Sequence, residues 1–300
     1  MYPKFPITGT FIDEITYDIP SSNWSHEEWA KDLDYMRDVG IDTLVFIRGG
    51  FENKMIYPSN KFAHIIEDDF AGFILKEADK RNMDVYMGMY ISNINWNMGD
   101  VKGELEKNKM FIDEVLERYG DIPSLKGWYI PHETSRNALN IIDIMGGLSK
   151  MCKDKTPDKK VLISPFFPSE VTAKNNSLSP DRFYDEWYNI FSRCAKEIDI
   201  CAFQDGSAPL SEMSEYLSHS KDLCDEFNIS HWVNTETFER DPRCVYYPIN
   251  FDLLKKKLEI TEHYAEKAIT FEFSHFLSPQ SIYPSARNLY KRYTEYYGNK

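Results

Sequence analysis

The sequence predicts a single (β/α)8 TIM barrel of the α/β class, with residues 1–300 forming one domain. Apolar segments typical of strands alternate eight times with helical segments, roughly 30 to 42 residues apart, which is the count of the eightfold barrel. Residues 43–47 form a continuous apolar run, typical of a strand buried on both faces of a parallel sheet. The main alternative, an open doubly wound sheet, would usually show a glycine-rich first turn, which this chain lacks.

Each predicted strand is a short apolar or aromatic segment that ends at polar residues. The strand that precedes Glu133 is the clearest, because its apolar centre runs without a turn signal into a carboxylate. In chain order, the predicted strands are residues 7–13, 43–47, 85–91, 125–133, 161–166, 198–204, 230–236 and 268–274.

The predicted helices are marked by caps and by apolar residues at helical spacing. Ser25 and Glu28 form a capping box before the first helix, and Gly40 ends it. Ser179 caps a later helix with a proline in its first turn, and Pro284 opens the last one. The other helices are predicted near residues 68–82, 136–153 and 210–227, and at two apolar stripes, Ile112, Val115, Leu116 and Tyr119, and Phe251, Leu254 and Leu258.

Composition and charge exclude several classes of function. The net charge of −13 would repel nucleic acid and anionic membrane surfaces. The first residues lack the charged and apolar regions of a signal peptide, and no apolar run is long enough to span a membrane, so a cytoplasmic protein is expected.

Five widely spaced cysteines (Cys152, Cys194, Cys201, Cys224, Cys244) fit free thiols. No Walker loop, dinucleotide fingerprint or phosphate-binding loop is present, so no cofactor is expected. A monomer or small homo-oligomer is expected.

Polar residues gather where the predicted strands end, which in a barrel of this type is the face that holds the active site. We therefore expect a broad, polar and acidic site there. Arg48 could clamp a substrate carboxylate, but the favoured interpretation is that it holds Glu236 or Asp13 ionised. The candidate substrate-binding residues are Asp13, Arg48, Tyr90, Asn93, Trp96, His132, Gln204, Asp205, Asn234 and Glu272.

Two glutamates form the most specific pattern, because Glu133 ends the fourth predicted strand and Glu236 ends the seventh. Strands at these positions lie across a barrel from each other. Hydrolysis of a glycosidic bond needs one protonated acid and one carboxylate on opposite sides of the sugar. We expect Glu133 to be the acid and base, with a raised pKa, and Glu236 to be the ionised nucleophile of a retaining enzyme. The alternative structural interpretation is that each glutamate only pairs with a nearby lysine or arginine.

The chain also resembles a known group of barrels. Segments 7–14 (Ile-Thr-Gly-Thr-Phe-Ile-Asp-Glu), 127–133 (Gly-Trp-Tyr-Ile-Pro-His-Glu) and 202–206 (Ala-Phe-Gln-Asp-Gly) resemble a domain of unknown function, glycosidase-like and common in gut bacteria. It is similar to the large clan of retaining glycosidases, which carry their catalytic glutamates at the ends of strands four and seven. The resemblance covers nearly the whole chain and implies a carbohydrate substrate. That clan usually has Asn before the acid and base, whereas this chain has His132, which either replaces that donor or packs behind the strand.

Aromatic side chains in the loops after the strands could stack on sugar rings. Trp96 is the strongest candidate for such a platform, because its loop is too polar to be core. The aromatic residues in these loops are Trp24, Phe51, Trp96, Phe167, Tyr246 and Phe276.

Two other functions stay open. A metal-dependent barrel, of the sugar isomerase or phosphodiesterase type, would use carboxylates and histidines from several strand ends. Its ligands would come from His132, Asp205, Glu236, Glu272 and His275, although no dense metal-binding spacing is present. The third possibility is a barrel that binds carbohydrate without catalysis.

Overall fold

The computed structural model describes residues 4–16, 21, 23–62, 68–241, 243 and 245–298. It confirms the predicted barrel, because eight parallel strands close on one another in chain order. The barrel strands are β1 (Ile7–Ile12), β2 (Thr43–Phe46), β3 (Asp84–Gly88), β4 (Leu125–Ile130), β5 (Lys160–Ile163), β6 (Ile200–Gln204), β7 (Ser230–Asn234) and β8 (Lys267–Thr270).

Eight longer helices follow the strands and surround the barrel. They are α1 (His26–Asp38), α2 (Phe70–Lys80), α3 (Val101–Tyr119), α4 (Ile141–Lys155), α5 (Pro180–Cys194), α6 (Leu210–Glu226), α7 (Phe251–Thr261) and α8 (Pro284–Tyr297). The predicted caps are confirmed: Ser25 and Glu28 form both bonds of the capping box, and Ser179 caps α5 with Pro180 in its first turn.

Several predicted boundaries were wrong: the strands predicted to reach 133 and 166 end at Ile130 and Ile163. The two largest errors concern the fourth helix and the eighth strand. The fourth helix begins at Ile141 instead of 136, because Leu139 and Asn140 have φ angles of 50° and 57°, which a right-handed helix cannot contain. The eighth strand ends at Thr270 instead of 274, and a short helix follows it (Phe273–Phe276).

The inside of the barrel is filled by side chains that alternate along the strands. Phe11, Val45, Tyr86, Tyr129 and Leu162 belong to one buried cluster within the ring. Alternate residues of a strand point to the same face. The inward positions therefore end with Tyr129 on β4 and with Trp232 and Asn234 on β7, and Glu133 and Glu236 follow these strand ends.

Two small sheets beyond the barrel strands were not predicted. Residues 90–91 leave β3 and pair in parallel with Gly50–Phe51, which also pairs with Lys54–Met55. After β7, Phe238–Arg240 and Tyr246–Pro248 form an antiparallel hairpin. Four cysteines are buried free thiols, as predicted, while Cys244 lies outside the described residues. Within the described ranges, no helix has the length and apolar character needed to cross a bilayer.

Candidate active site

Glu133 lies just past the end of β4 and is partly exposed. The Tyr129 hydroxyl donates to Glu133 Oε1 over 2.6 Å. Burial and, next, the charge of Glu133 raise the pKa of Tyr129 well above its ordinary value, so this phenol keeps its proton. Tyr129 therefore holds one oxygen of Glu133 at the barrel mouth.

A polar connection runs from Tyr129 towards β7. Tyr129 interacts with Ser164 after β5, and Asn234 Nδ2 donates to Ser164 Oγ over 3.4 Å. Gln204 Nε2 donates to the Ser164 carbonyl over 2.8 Å. The other side of the Asn234 amide accepts the Phe271 N–H over 2.9 Å. Gln204 and Asn234, both predicted site residues, are thus brought together in the layer beneath the two glutamates.

Glu236 is buried, with a relative exposure of 5%. The Ser207 backbone N–H and hydroxyl donate to Glu236 Oε2 over 3.1 and 3.0 Å. The Glu236 backbone N–H donates to Asp205 Oδ2 over 3.1 Å. Asp205 in turn binds Lys257 on α7, whose Nζ lies 3.0 and 2.9 Å from the two carboxylate oxygens. Asp205 is therefore a buried ion-pair partner that supports the segment carrying Glu236.

The expectation that Glu236 is held ionised was wrong. Burial and, next, the negative charge of Asp205 raise the pKa of Glu236 to about 8, although Lys257 and Ser207 act in the opposite direction. The desolvation of a carboxylate outweighs these donors because Lys257 is already paired with Asp205. Glu236 must lose a proton before it can act as a nucleophile near neutral pH.

Arg48 and Asp13 stand at the opposite side of the ring, after β2 and β1. Arg48 Nη1 donates to Thr16 Oγ1 over 2.8 Å, and its guanidinium lies 5.2 Å from the centre of the Phe51 ring. The interpretation that Arg48 holds Glu236 or Asp13 ionised was wrong, because among the described residues its guanidinium bonds Thr16 and pairs with neither carboxylate. Asp13 Oδ1 accepts the N–H groups of two following residues and so shapes its own loop.

His132 packs behind the strand, which is one of the two positions that the sequence left open. It has no exposed surface, and its Nε2 lies 2.9 Å from Glu104 Oε1 on α3. Glu104 also accepts the Ser92 N–H over 3.1 Å. The Trp96 ring meets His132 edge-on at 5.1 Å and is partly buried. Trp96 therefore packs against His132 and keeps part of its surface exposed.

Tyr90 and Asn93 also turn to a neighbouring loop. The Tyr90 hydroxyl donates to the Glu52 carbonyl over 2.6 Å, and Asn93 Nδ2 donates to Glu52 Oε1 over 2.7 Å. These bonds connect the loop after β3 to the loop after β2.

Glu272 follows β8 and is fully buried. Neither carboxylate oxygen has a hydrogen-bond partner in the described part of the chain. His275 Nδ1 lies 3.0 Å from Oε1 without forming a hydrogen bond, and burial keeps His275 neutral by lowering its pKa to about 3. Burial and, next, the charges of Asp13, Glu14 and Asp32 raise the pKa of Glu272 well above its ordinary value.

We expect Glu272→Gln to gain stability relative to the wild type as the pH rises. A carboxyl whose pKa is higher in the folded than in the unfolded state binds protons more tightly when folded, so its contribution to stability falls as pH rises above its unfolded pKa of about 4.3. Gln cannot ionise and loses this dependence. Urea unfolding of both proteins at several pH values would measure the difference, with the exposed Glu106→Gln as control. A stability difference between wild type and Glu272→Gln that does not change with pH would contradict the burial of an ionisable group here.

The alternative metal ligands are not brought together. Among the described residues, three carboxylate or imidazole donors come within 4.8 Å of one another only at Asp181, Glu215 and His219, on the outer surface of α5 and α6. The set His132, Asp205, Glu236, Glu272 and His275 therefore does not converge on one point.

Several residues that shape the site were missed in the sequence. Tyr129 and Ser207 gave no signal, because a tyrosine in a strand and a serine in a loop are ordinary. Glu104 did give a sequence signal. It lies on the apolar stripe of α3, eight residues before Ile112, where a charged residue is unexpected. Lys257 similarly lies between Leu254 and Leu258 on the buried face of α7.

Comparison with known proteins agrees with the barrel. A family model described as a domain of unknown function (DUF4434) matches residues 7–283. A search of curated proteins gives no match. A Bacteroides thetaiotaomicron protein of known structure, provisionally named an alpha-L-fucosidase, is 40% identical over 99% of this chain and 95% of its own, with a TM-score of 0.93.

More distant structures share the fold. An intracellular xylanase of Thermoanaerobacterium saccharolyticum is 14% identical over 89% of this chain and 85% of its own, with a TM-score of 0.55. A chitinase of Pseudoalteromonas aurantia is 11% identical over 90% of this chain and 95% of its own, with a TM-score of 0.54. The structural neighbours of this barrel thus include glycoside hydrolases.

Proposed function

Because this chain belongs to the DUF4434 family of domains of unknown function and its barrel has glycoside hydrolases among its structural neighbours, we propose that it hydrolyses glycosidic bonds. The observation that carries this proposal is the position of two carboxylates. Glu133 follows β4 and Glu236 follows β7, both just past the C-terminal ends of their strands. The whole chain acts as one barrel domain without a cofactor.

In this mechanism Glu133 protonates the leaving oxygen while Glu236 attacks the anomeric carbon, which forms a covalent glycosyl-enzyme. Glu133 then removes a proton from water, and the resulting attack releases the sugar with its configuration retained. Tyr129 supports this by holding Glu133 Oε1. The Ser207 donors stabilise the carboxylate of Glu236 once its proton has left.

The test is hydrolysis of a panel of 4-nitrophenyl glycosides and of plant and host glycans. The panel includes the alpha-L-fucoside, because the 40% identical relative carries that name. We expect the wild type to hydrolyse at least one substrate, and Glu133→Gln and Glu236→Gln each to reduce its turnover by about a thousandfold or more. Glu106→Gln on the exposed face of α3 is the matched control and should keep full activity.

The same experiment can instead favour one of the two other candidate functions, a metal-dependent barrel or a barrel that only binds carbohydrate. Activity that is lost on chelation and restored by a divalent metal ion would favour the metal-dependent barrel. Binding of a glycan by wild type and Glu236→Gln alike, with no product from any substrate, would favour the barrel that only binds carbohydrate.

The pH dependence of activity gives a separate expectation. Since Glu236 must ionise and its pKa is raised to about 8, kcat/KM should increase with pH towards about 8. Initial rates measured across this range in a constant-ionic-strength buffer would show the rising limb. A profile that falls from pH 5 upwards would contradict the assignment of Glu236 as nucleophile.

A further inference from the structure

The aromatic residues predicted to contact sugar differ sharply in exposure. Phe51, Phe167 and Phe276 are buried, and Trp24 and Trp96 are only partly exposed. Tyr246 is the exception, because 41% of its surface is exposed. An exposed aromatic ring is the kind of side chain on which a sugar can stack.

Tyr246 is held next to the catalytic segment by the hairpin after β7. It lies opposite Arg240 in the antiparallel pair, and its ring meets the ring of Phe238 edge-on with centres 4.9 Å apart. Phe238 follows Glu236 by two residues. The hairpin therefore holds an exposed ring against Phe238, which is two residues from one of the two glutamates in the chain.

A continuous series of ring contacts joins Tyr246 to the buried cluster inside the barrel. Phe238 contacts Phe271 with ring centres 6.3 Å apart, and Phe271 contacts Phe11 at 6.1 Å. Phe11 packs edge-on against Tyr129 at 5.1 Å, and Tyr129 is the residue that holds Glu133. The series thus begins at Tyr129, the partner of Glu133, and ends at the exposed Tyr246, so the hairpin that carries Tyr246 packs on the same buried rings as the segment that leads to Glu133.

We propose that Tyr246 forms an outer subsite for one sugar unit of a neutral oligosaccharide, so that the substrate is a chain that extends past the reacting bond. The inference rests on the proposed function for its ligand class. A tyrosine offers an apolar face to the C–H face of a sugar and a hydroxyl to its polar edge. The net charge of −13 disfavours a polyanionic chain, which makes a neutral glycan the matching partner.

Affinity electrophoresis in native gels tests this subsite without catalysis. All proteins carry Glu236→Gln, and the gels contain xyloglucan, arabinoxylan, galactomannan or mixed-linkage β-glucan. We expect at least one polysaccharide to retard the parent protein, and Tyr246→Ala to weaken that binding about threefold to tenfold, the effect of losing one aromatic stack. Tyr246→Phe should keep most of the affinity, because the ring face is unchanged.

Tyr188 on α5 is the matched control. Its exposure is 42%, and its ring meets Phe227 edge-on at 5.4 Å, so Tyr188→Ala removes a ring of the same kind from the outer wall of the barrel. Equal retardation of the parent and Tyr246→Ala would overturn the subsite, as would a parent protein retarded by none of the four polysaccharides. A change of oligomeric state in Tyr246→Ala, seen by size-exclusion chromatography, would instead assign the ring to contact between copies of the chain.

The two proposals fail separately. Retardation that depends on Tyr246, together with a wild type that hydrolyses nothing, would leave the subsite and remove the catalytic function. Hydrolysis by the wild type, together with unchanged binding by Tyr246→Ala, would do the opposite.

Discussion

Replacing Glu236 by alanine is expected to reduce hydrolysis by about 10⁴-fold or more, and added azide is expected to restore turnover with a glycosyl azide of inverted configuration as product. Removal of a catalytic nucleophile costs this much because no other group forms the covalent intermediate. Azide can enter the space left by the carboxylate and attack the anomeric carbon directly. One displacement instead of two inverts the configuration, which NMR of the product would show.

The Glu133→Ala variant is the partner experiment. Substrates with a good leaving group still form the glycosyl-enzyme without an acid, so azide attacks that intermediate and gives a product of retained configuration. The two azide products therefore distinguish the nucleophile from the acid and base. If Glu133→Ala gave the inverted azide and Glu236→Ala the retained one, the two roles would be exchanged, an arrangement that the raised pKa of Glu236 makes physically reasonable.

A second large effect is expected for Lys257→Met. This substitution keeps the length of the buried side chain but leaves Asp205 without its cation, and removing one partner of a buried ion pair typically costs about 3–5 kcal/mol of unfolding free energy. Asp205 also accepts the Glu236 N–H, so we expect the catalytic segment to lose its position as well. Denaturant unfolding followed by circular dichroism would measure the change in stability.

Two controls separate the buried pair from a general effect of losing a lysine. Lys255→Met, on the same helix, breaks a pair with the exposed Glu259 at 3.5 Å and should leave stability nearly unchanged, because solvent screens exposed pairs. The double variant Lys257→Met with Asp205→Asn should recover part of the stability, since neither charge is then buried alone. A Lys257→Met protein that unfolds at the same denaturant concentration as the wild type would contradict this explanation.

The barrel itself could be predicted because its signals are local. Continuous apolar runs such as 43–47 specify buried parallel strands, and caps such as Ser25 and Ser179 specify where helices begin. These signals depend on backbone preferences and on the burial period of a single segment. Errors arose where the backbone departs from a regular element, as at Leu139 and Asn140, whose positive φ angles delay the start of α4.

The candidate site was predictable only as a set of positions. The sequence shows which residues follow each strand, so Glu133 and Glu236 could be chosen as a pair. It does not show which way a side chain turns after the strand has ended. The other candidate residues differ in this direction. His132 faces Glu104, Asp205 faces Lys257 and Tyr90 faces the Glu52 loop, so all three support the site from behind.

By itself, the sequence determined the eightfold alternation, the starts of the main helices and the two carboxylates at the ends of β4 and β7, because each is encoded by residues close together in the chain. Only the tertiary structure decided the charge environment of Glu236, since it depends on Asp205, Ser207 and Lys257 from other elements. It also decided that Tyr246 is exposed at the end of a series of packed rings. Solvation, ion pairing and ring packing are properties of neighbours in space, and a linear order of residues does not specify them.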